Sequence, residues 1–399
     1  MASFSDLKIG SFLHLVAGLV LAYHVVLLVE GGRAIASGSS EEEELDLERQ
    51  LNSLNKSPVK TMHSRWGDIY DCIEFHKQPA FDHPLLKNHT TLKKDETAST
   101  RPHKSLMSPI EGCPKGTVPI RRTTKEDLVR AKYFASSSNA PGDEHRTGIT
   151  LHAGRQGNFF GVKGTGNIWN PKVNEYQWSG AETTLMAGLP ERSNEVRFGW
   201  TVSPKLYGDT VTRTYAYWTG DGGNKTGCHN TLCSGFVQVD PKYPLVMPFL
   251  NTSVDGGTQV EIKYNIDRVG VCYITGDWWL NVEIAKSNVK VGYWPKQLLP
   301  LLAEGAEHIY WGGRVRSDSD GILPEMASGK LPDDYPYTSD ITGYFADLQY
   351  KDEYDNFVYA AVNDRIDTTV DCKGSYNSTW NYERITVHYG GPGGCTCTW

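Results

Sequence analysis

The sequence predicts a mainly β protein whose larger part is an antiparallel sandwich or barrel. Three observations carry this. Short alternating apolar–polar segments recur with turn residues between them, helical periodicity is scarce, and ten of the eleven tryptophans lie beyond residue 148. The strands expected from this pattern are Phe198–Ser203, Arg213–Trp218, Gly235–Val239, Gln259–Asn265, Val269–Thr275, Trp278–Ile284 and Val289–Trp294. In Gln259–Asn265, for example, Val260, Ile262 and Tyr264 alternate with Glu261 and Lys263. One short helix is expected at Lys296–Ala303, after Pro295. Gly161-Val-Lys-Gly-Thr-Gly166 reads as a hairpin, because no Lys-Ser/Thr ending or helix follows to make it a phosphate loop.

The earlier elements follow in order. Lys8 precedes an apolar run, Phe12–Val29, and Ala34-Ile35-Ala36 has the small-x-small form of a cleavage site. Residues 1–36 are read as a signal peptide, with an uncleaved membrane anchor as the alternative. In EEEELDLERQLNSLN, residues 41–55, Leu45, Leu47, Leu51 and Leu54 recur at helical spacing behind leading acids, which suit the positive end of a helix. A second short helix is expected from Thr124. The small polar stretch 136–148 reads as a linker and possible processing site between a domain at 41–135 and one at 149–399.

Bulk properties exclude several functions. A net charge of −7 argues against a nucleic-acid partner. There is no G-x-S-x-G elbow, no H-E-x-x-H, no C-x-x-C pair and no calcium loop, so neither metal nor cofactor is expected. The eight cysteines are Cys72, Cys113, Cys228, Cys233, Cys272, Cys372, Cys395 and Cys397. With sequons at Asn88, Asn224, Asn251 and Asn377, they agree with secretion and glycosylation.

Several aromatic–glycine segments remain: NIWNPKV, FGWTVSPKLYGD, TGCHNTLCSGFVQ, VGYWPKQLL, IYWGGRVRS and MASGKLP. By composition they suit a packed β core. In order and spacing, together with QPAFDHPLLKNH and CPKGTVPIRRT, they resemble the plant neprosin family over nearly all of the chain after the leader. That resemblance implies a secreted zymogen, in the apoplast or cell wall. It would carry a small α+β activation-peptide domain, then a jelly-roll or lectin-like antiparallel β-sandwich. The family activity it implies is a glutamic prolyl endopeptidase, which cleaves after proline with two glutamates. Two carboxyls in one cleft share a proton, so one can activate water while the other protonates or polarises the carbonyl. The resemblance further implies an aromatic-rich cleft, with Trp200, Thr201, Tyr217, Trp294 and Trp311 as candidate lining, and a peptide or protein with proline-rich segments as partner.

Here the chain departs from the family. Val196-Arg197-Phe198-Gly199-Trp200-Thr201-Val202 stands where the family has I-E-A-G-W-Q-V, and Trp311-Gly312-Gly313-Arg314-Val315 stands where it has W-G-G-E-V. Arg197 and Arg314 thus occupy the two catalytic glutamate positions. Arginine stays protonated and accepts no proton, so both acid–base roles are lost. Glu195 lies on the face of Arg197 and is the candidate rescue, although a two-residue step is roughly 6–7 Å along a strand; Glu304, Glu307 and Glu325 are weaker candidates. Two arginines in a former acid pocket must meet anions. Glu195 is expected to neutralise Arg197, and Asp318 or an outside ligand to neutralise Arg314. The leading reading is an impaired peptidase that binds an extracellular peptide or anionic ligand; the alternative is an active prolyl endopeptidase with a rearranged acid. The resemblance also implies bridges Cys228–Cys233, Cys372–Cys395 and Cys72–Cys113, which leaves Cys272 with Cys397.

Overall fold

A computed structural model describes residues 41–87, 89, 110–137, 144–154, 157–269, 276–332, 340–361, 364–394 and 397. The proposed signal peptide, Asn88 and the core of the linker at 138–143 lie outside these residues, as do Cys272, Cys395 and most of the strand expected at Val269–Thr275. Among the described residues no helix is long and apolar enough to cross a membrane. The chain divides into a first unit ending at Asn52 and a second, Ser53–Trp399. Helix α1 covers residues 41–54, as its leucine spacing predicts.

The second unit opens with a three-stranded antiparallel sheet of β1 (Lys60–His63), β2 (Ile69–Glu74) and β3 (Thr117–Arg121), closed by the Cys72–Cys113 bridge. Helix α2 (Lys125–Ser137) starts where Thr124 and Asp127 cap each other. The Asp127 amide donates to Thr124 Oγ1 at 3.1 Å, and the Thr124 amide donates to Asp127 Oδ2 at 2.9 Å.

Two larger sheets follow. One has seven strands in the order β17 (Arg365–Val370), β4 (Glu144–His152), β14 (His308–Arg316), β6 (Trp178–Ala187), β7 (Asn194–Val202), β8 (Arg213–Thr219) and β9 (Cys228–His229). The other runs β10 (Val237–Gln238), β13 (Ser287–Trp294), β12 (Asp277–Ile284), β11 (Glu261–Val269), β5 (Gly161–Asn167), β15 (Gly343–Lys351), β19 (Thr386–Gly390) and β18 (Asn377–Asn381), with β16 (Phe357–Tyr359) beside β15. All the registered pairs are antiparallel, and the β-sandwich expected from the sequence is the fold.

Period-two alternation builds the core. From the seven-stranded sheet Ile149, Leu151, Ala181, Leu185, Val196, Phe198, Trp200, Trp218, Ile309, Trp311 and Val315 face inward; from the other come Ile262, Ile266, Trp278, Leu280 and Trp294. Gly161–Asn167 is therefore a central strand and not a hairpin. A Cβ at Gly166 would lie 2.6 Å from the Phe345 ring, so glycine makes room for that ring. The helix expected at Lys296–Ala303 is two 3-10 turns, Lys296–Leu298 and Pro300–Glu304, because Pro300 has no amide to continue a helix. Residues 144–148, read as linker, begin β4; Glu144 and Arg146 sit on one face while His145 and Thr147 are buried on the other. Cys372 pairs with Cys397, not Cys395, so Cys397 is not free for Cys272. Two cysteines two residues apart are both within reach of one partner, and sequence does not choose between them. Cys228–Cys233 forms as expected.

The segment between β2 and β3 joins the sandwich, while β1–β3 keep two small apolar clusters of their own, around Tyr70 and around Val118. Gln78 holds the free edge of β10: its Nε2 donates to the Gln238 carbonyl at 3.1 Å, and its Oε1 accepts the Gln238 amide at 2.8 Å. Tyr70 donates to the Val246 carbonyl at 2.9 Å. Leu86, 2% exposed, belongs to the sandwich core itself. Charges alternate along Asp209, Arg213, Asp68, Arg121, Asp127 and Arg130 across the junction. Leu86→Ala is expected to cost the folded chain about 2–5 kcal/mol in a single cooperative urea transition. A separate early transition for the N-terminal sheet alone would contradict coupling through this junction.

Candidate functional site

The outward face of the seven-stranded sheet is polar at its centre. One row across it reads Gly148, Gly312, Glu182, Gly199, Tyr215. The row on one side holds Arg314, Gly180, Thr201 and Arg213; the row on the other holds Tyr310, Thr184, Arg197 and Tyr217. Glu182 thus has a glycine on each neighbouring strand. A Cβ on Gly199 would sit 1.8 Å from the Ala181 carbonyl oxygen, and one on Gly312 would sit 2.3 Å from that of Thr147. With no side chains at these positions, the guanidinium groups of Arg197 and Arg314 can lie inward over Glu182.

The two arginines therefore meet on one carboxyl. Arg314 Nε is 2.9 Å from Glu182 Oε1, and Arg197 Nε is 4.0 Å from the same oxygen. Thr184 donates to that oxygen at 3.1 Å. Arg314 Nη1 also donates to Glu144 Oε2 at 3.0 Å, and Arg197 Nε donates to Glu195 Oε2 at 2.9 Å. Glu195 Oε1 accepts from Ser193 Oγ at 2.9 Å. The Arg197 guanidinium stacks 4.6 Å from the centre of the Tyr217 ring. Three glutamates surround two arginines, and Arg316, opposite Glu144 in register, brings the charges to balance.

Burial by itself would push the Glu195 and Glu144 carboxyls up, but the arginines overcome it. Glu195 is held down to about 2, chiefly by Arg197, and Glu144 is also lowered, chiefly by Arg314. Burial pulls both guanidinium groups down, yet the glutamates leave both above their ordinary value. His229, beside Tyr215 and Tyr217, is lowered to about 3 by burial and by Arg197, so it is neutral across the physiological range.

The residues singled out from sequence divide by strand face. Arg197, Arg314, Glu195, Thr201 and Tyr217 share the outward face. Trp200 and Trp311 do not line it: odd and even positions of a strand face opposite ways, and both indoles lie in the core between the sheets. Trp294 is also a core residue, against Phe236 and on the other sheet. Glu325 contacts Lys172 instead, Glu307 accepts the Gly188 amide, and Asp318 accepts from Asn174, so Asp318 is not the partner of Arg314. Glu182 and Glu144 were missed. The signal for Glu182 is a lone acid inside the otherwise small and apolar run SGAETTLMA; Glu144 was hidden in a stretch read as linker. Among the described residues no three His, Cys, Asp or Glu side chains converge to hold a metal.

Glu182→Gln is expected to destabilise the chain by about 3–5 kcal/mol, because it leaves two buried cations short of a partner. The acid response has a definite sign. The Glu195 carboxyl is depressed on folding from 4.5 to about 2, so its contribution is full above about pH 4.5 and fades as pH falls toward 2. That contribution is roughly 3 kcal/mol. Urea unfolding of the native chain and of Glu195→Gln across this range should show a shallower acid loss in the variant.

The family model described as Neprosin matches residues 175–392, and the one described as Neprosin activation peptide matches residues 61–152. Among solved structures the chain is similar to scytalido-glutamic peptidase bound to a peptide-based transition-state analogue. That likeness has 11% identity, a TM-score of 0.35, and covers 62% of this chain and 98% of the other. It is also similar to SCP-B, a member of the eqolisin family of peptidases in complex with the tripeptide Ala-Ile-His, at 9% identity and a TM-score of 0.32, over 62% of this chain and 98% of the other. The activation-peptide match runs through β4 of the sandwich, the Neprosin match alone spans more than half of the 399 residues, and the chain belongs to the neprosin family.

Proposed function

We propose that this chain is a secreted neprosin-family protein that has lost peptidase chemistry and uses the outward face of its seven-stranded sheet to bind an extracellular peptide. The observation that carries this reading is the pairing of every carboxyl in the cluster with a guanidinium. Glutamic-peptidase chemistry needs one carboxyl that holds a proton and another that takes one. Glu195, held down to about 2, keeps no proton to give. Glu182 lies 2.9 Å from Arg314, and taking a proton from water would weaken that ion pair and leave Arg314 with Glu144 alone. The balanced charges favour a neutral or mixed peptide over a free anion, and the Arg197–Tyr217 stack offers an aromatic contact for it. Secretion into the apoplast or cell wall of a plant, with glycans on the sequons, accords with the three bridges among the described residues.

An assay of the purified chain on a proline-containing peptide at acidic pH tests this. No turnover is expected from the native chain, and gain of turnover is expected in Arg197→Glu with Arg314→Glu once circular dichroism shows that the variant is folded. Native turnover that Glu195→Gln or Glu182→Gln abolishes would restore the alternative, an active prolyl endopeptidase with a rearranged acid.

A further inference from the structure

A second constellation lies on the same outward face, one row beyond Arg197. There β17, β4, β14, β6 and β7 place Arg365, His152, His308, Met186 and Glu195 side by side in register. His152 and His308 are direct cross-strand partners, and their Nδ1 atoms face each other at 3.0 Å. Met186 is the register partner of His308 on the next strand, about 4.8 Å away. Its neighbours Leu185 and Ala187 are core residues, so alternation turns Met186 outward, toward the side of the histidines. Asp367 Oδ2 lies 2.9 Å from the other nitrogen of His152. Met186 and both histidines are partly exposed, so the row is open to solvent.

We propose that His152, His308 and Met186 form a copper-binding site. The two imidazoles are already opposed across one ladder position. Metal–nitrogen bonds of about 2.0–2.1 Å at a tetrahedral angle need the nitrogens roughly 3.3 Å apart, so the pair has to open by only a few tenths of an ångström. A carboxylate behind a ligating histidine fixes the ring and raises its basicity, and Asp367 stands there for His152. The thioether decides the metal: two imidazoles suit zinc or copper alike, whereas a methionine sulfur selects the softer Cu(I). Met186, the register partner of His308 and turned to the same face, is the third protein donor of the proposed site. The charged groups of this row and its surroundings are Arg365 and Glu195, in register with it, and Glu307 and Asp367.

The test is a titration of the untagged full chain with Cu(I) against a chromophoric Cu(I) chelator, and with Zn(II) in parallel. One tightly competing Cu(I) per chain is expected. His308→Gln should weaken it by about tenfold or more, and Met186→Leu should weaken Cu(I) by a similar factor while leaving Zn(II) unchanged. Electron paramagnetic resonance of the native chain loaded with Cu(II) needs no variant, and should show coupling to two imidazole nitrogens. Native-like Cu(I) affinity in His308→Gln or in Met186→Leu, or a Cu(II) spectrum without two nitrogens, would overturn the site.

Discussion

Glu182, at 2% exposure on the middle strand of its sheet, has to be met by cations if it is to stay charged. The seven-stranded sheet is arranged around that demand. Glycines on both neighbouring strands remove the side chains that would stand between, and Arg197 and Arg314 close over the carboxyl from opposite diagonals. Each arginine then needs a second anion, which Glu195 and Glu144 supply. The result is a closed network in which no member changes charge without disturbing the others. Proton transfer requires the opposite, a pair of carboxyls held near the point of titration.

The same sheet has two unlike faces because a strand sends alternate side chains to opposite sides. The inward set is large and aromatic, and Trp200 links the two sheets by donating from Nε1 to the Asn167 carbonyl at 2.9 Å. The outward set carries the charges, the tyrosines and the His152–His308 pair. A substitution at residue 197 or 314 therefore leaves the core as it was, and the fold can persist while the chemistry of its outer face changes. The N-terminal sheet adds a further constraint. Leu86 and Gln78 enter the sandwich as a core residue and an edge partner, so this domain is part of the folded body as well as a neighbour of its outer face.

Much of this was legible before any coordinates. Strands such as Asp277–Ile284 and Ser287–Trp294 extend the expected Trp278–Ile284 and Val289–Trp294 by one or two residues. Their alternation is a local property of the chain. Strands rich in glycine or threonine were not seen, among them Gly161–Asn167 and Arg365–Val370, since what makes them strands is the ring or the neighbour that fills the space beside them. Arg197 and Arg314 were found through motif spacing. Glu182 and Glu144 were not, because nothing local marks a glutamate as the partner of an arginine that is 132 or 170 residues away.

The sequence by itself determined the strand periodicity and the segments whose order resembles the neprosin family, and that resemblance led to Arg197, Arg314 and the bridges Cys72–Cys113 and Cys228–Cys233. Periodicity and motif order are properties of residue type along the chain. Tertiary structure decided which side of each strand faces the core, and so removed Trp200, Trp294 and Trp311 from the outer face. It chose Cys397 over Cys395 for Cys372. It also brought four strands, β4, β14, β6 and β7, into register so that two arginines share one carboxyl and two histidines oppose each other. Register between distant strands is fixed by packing and by the antiparallel hydrogen-bond ladder, and neither can be read from any one segment.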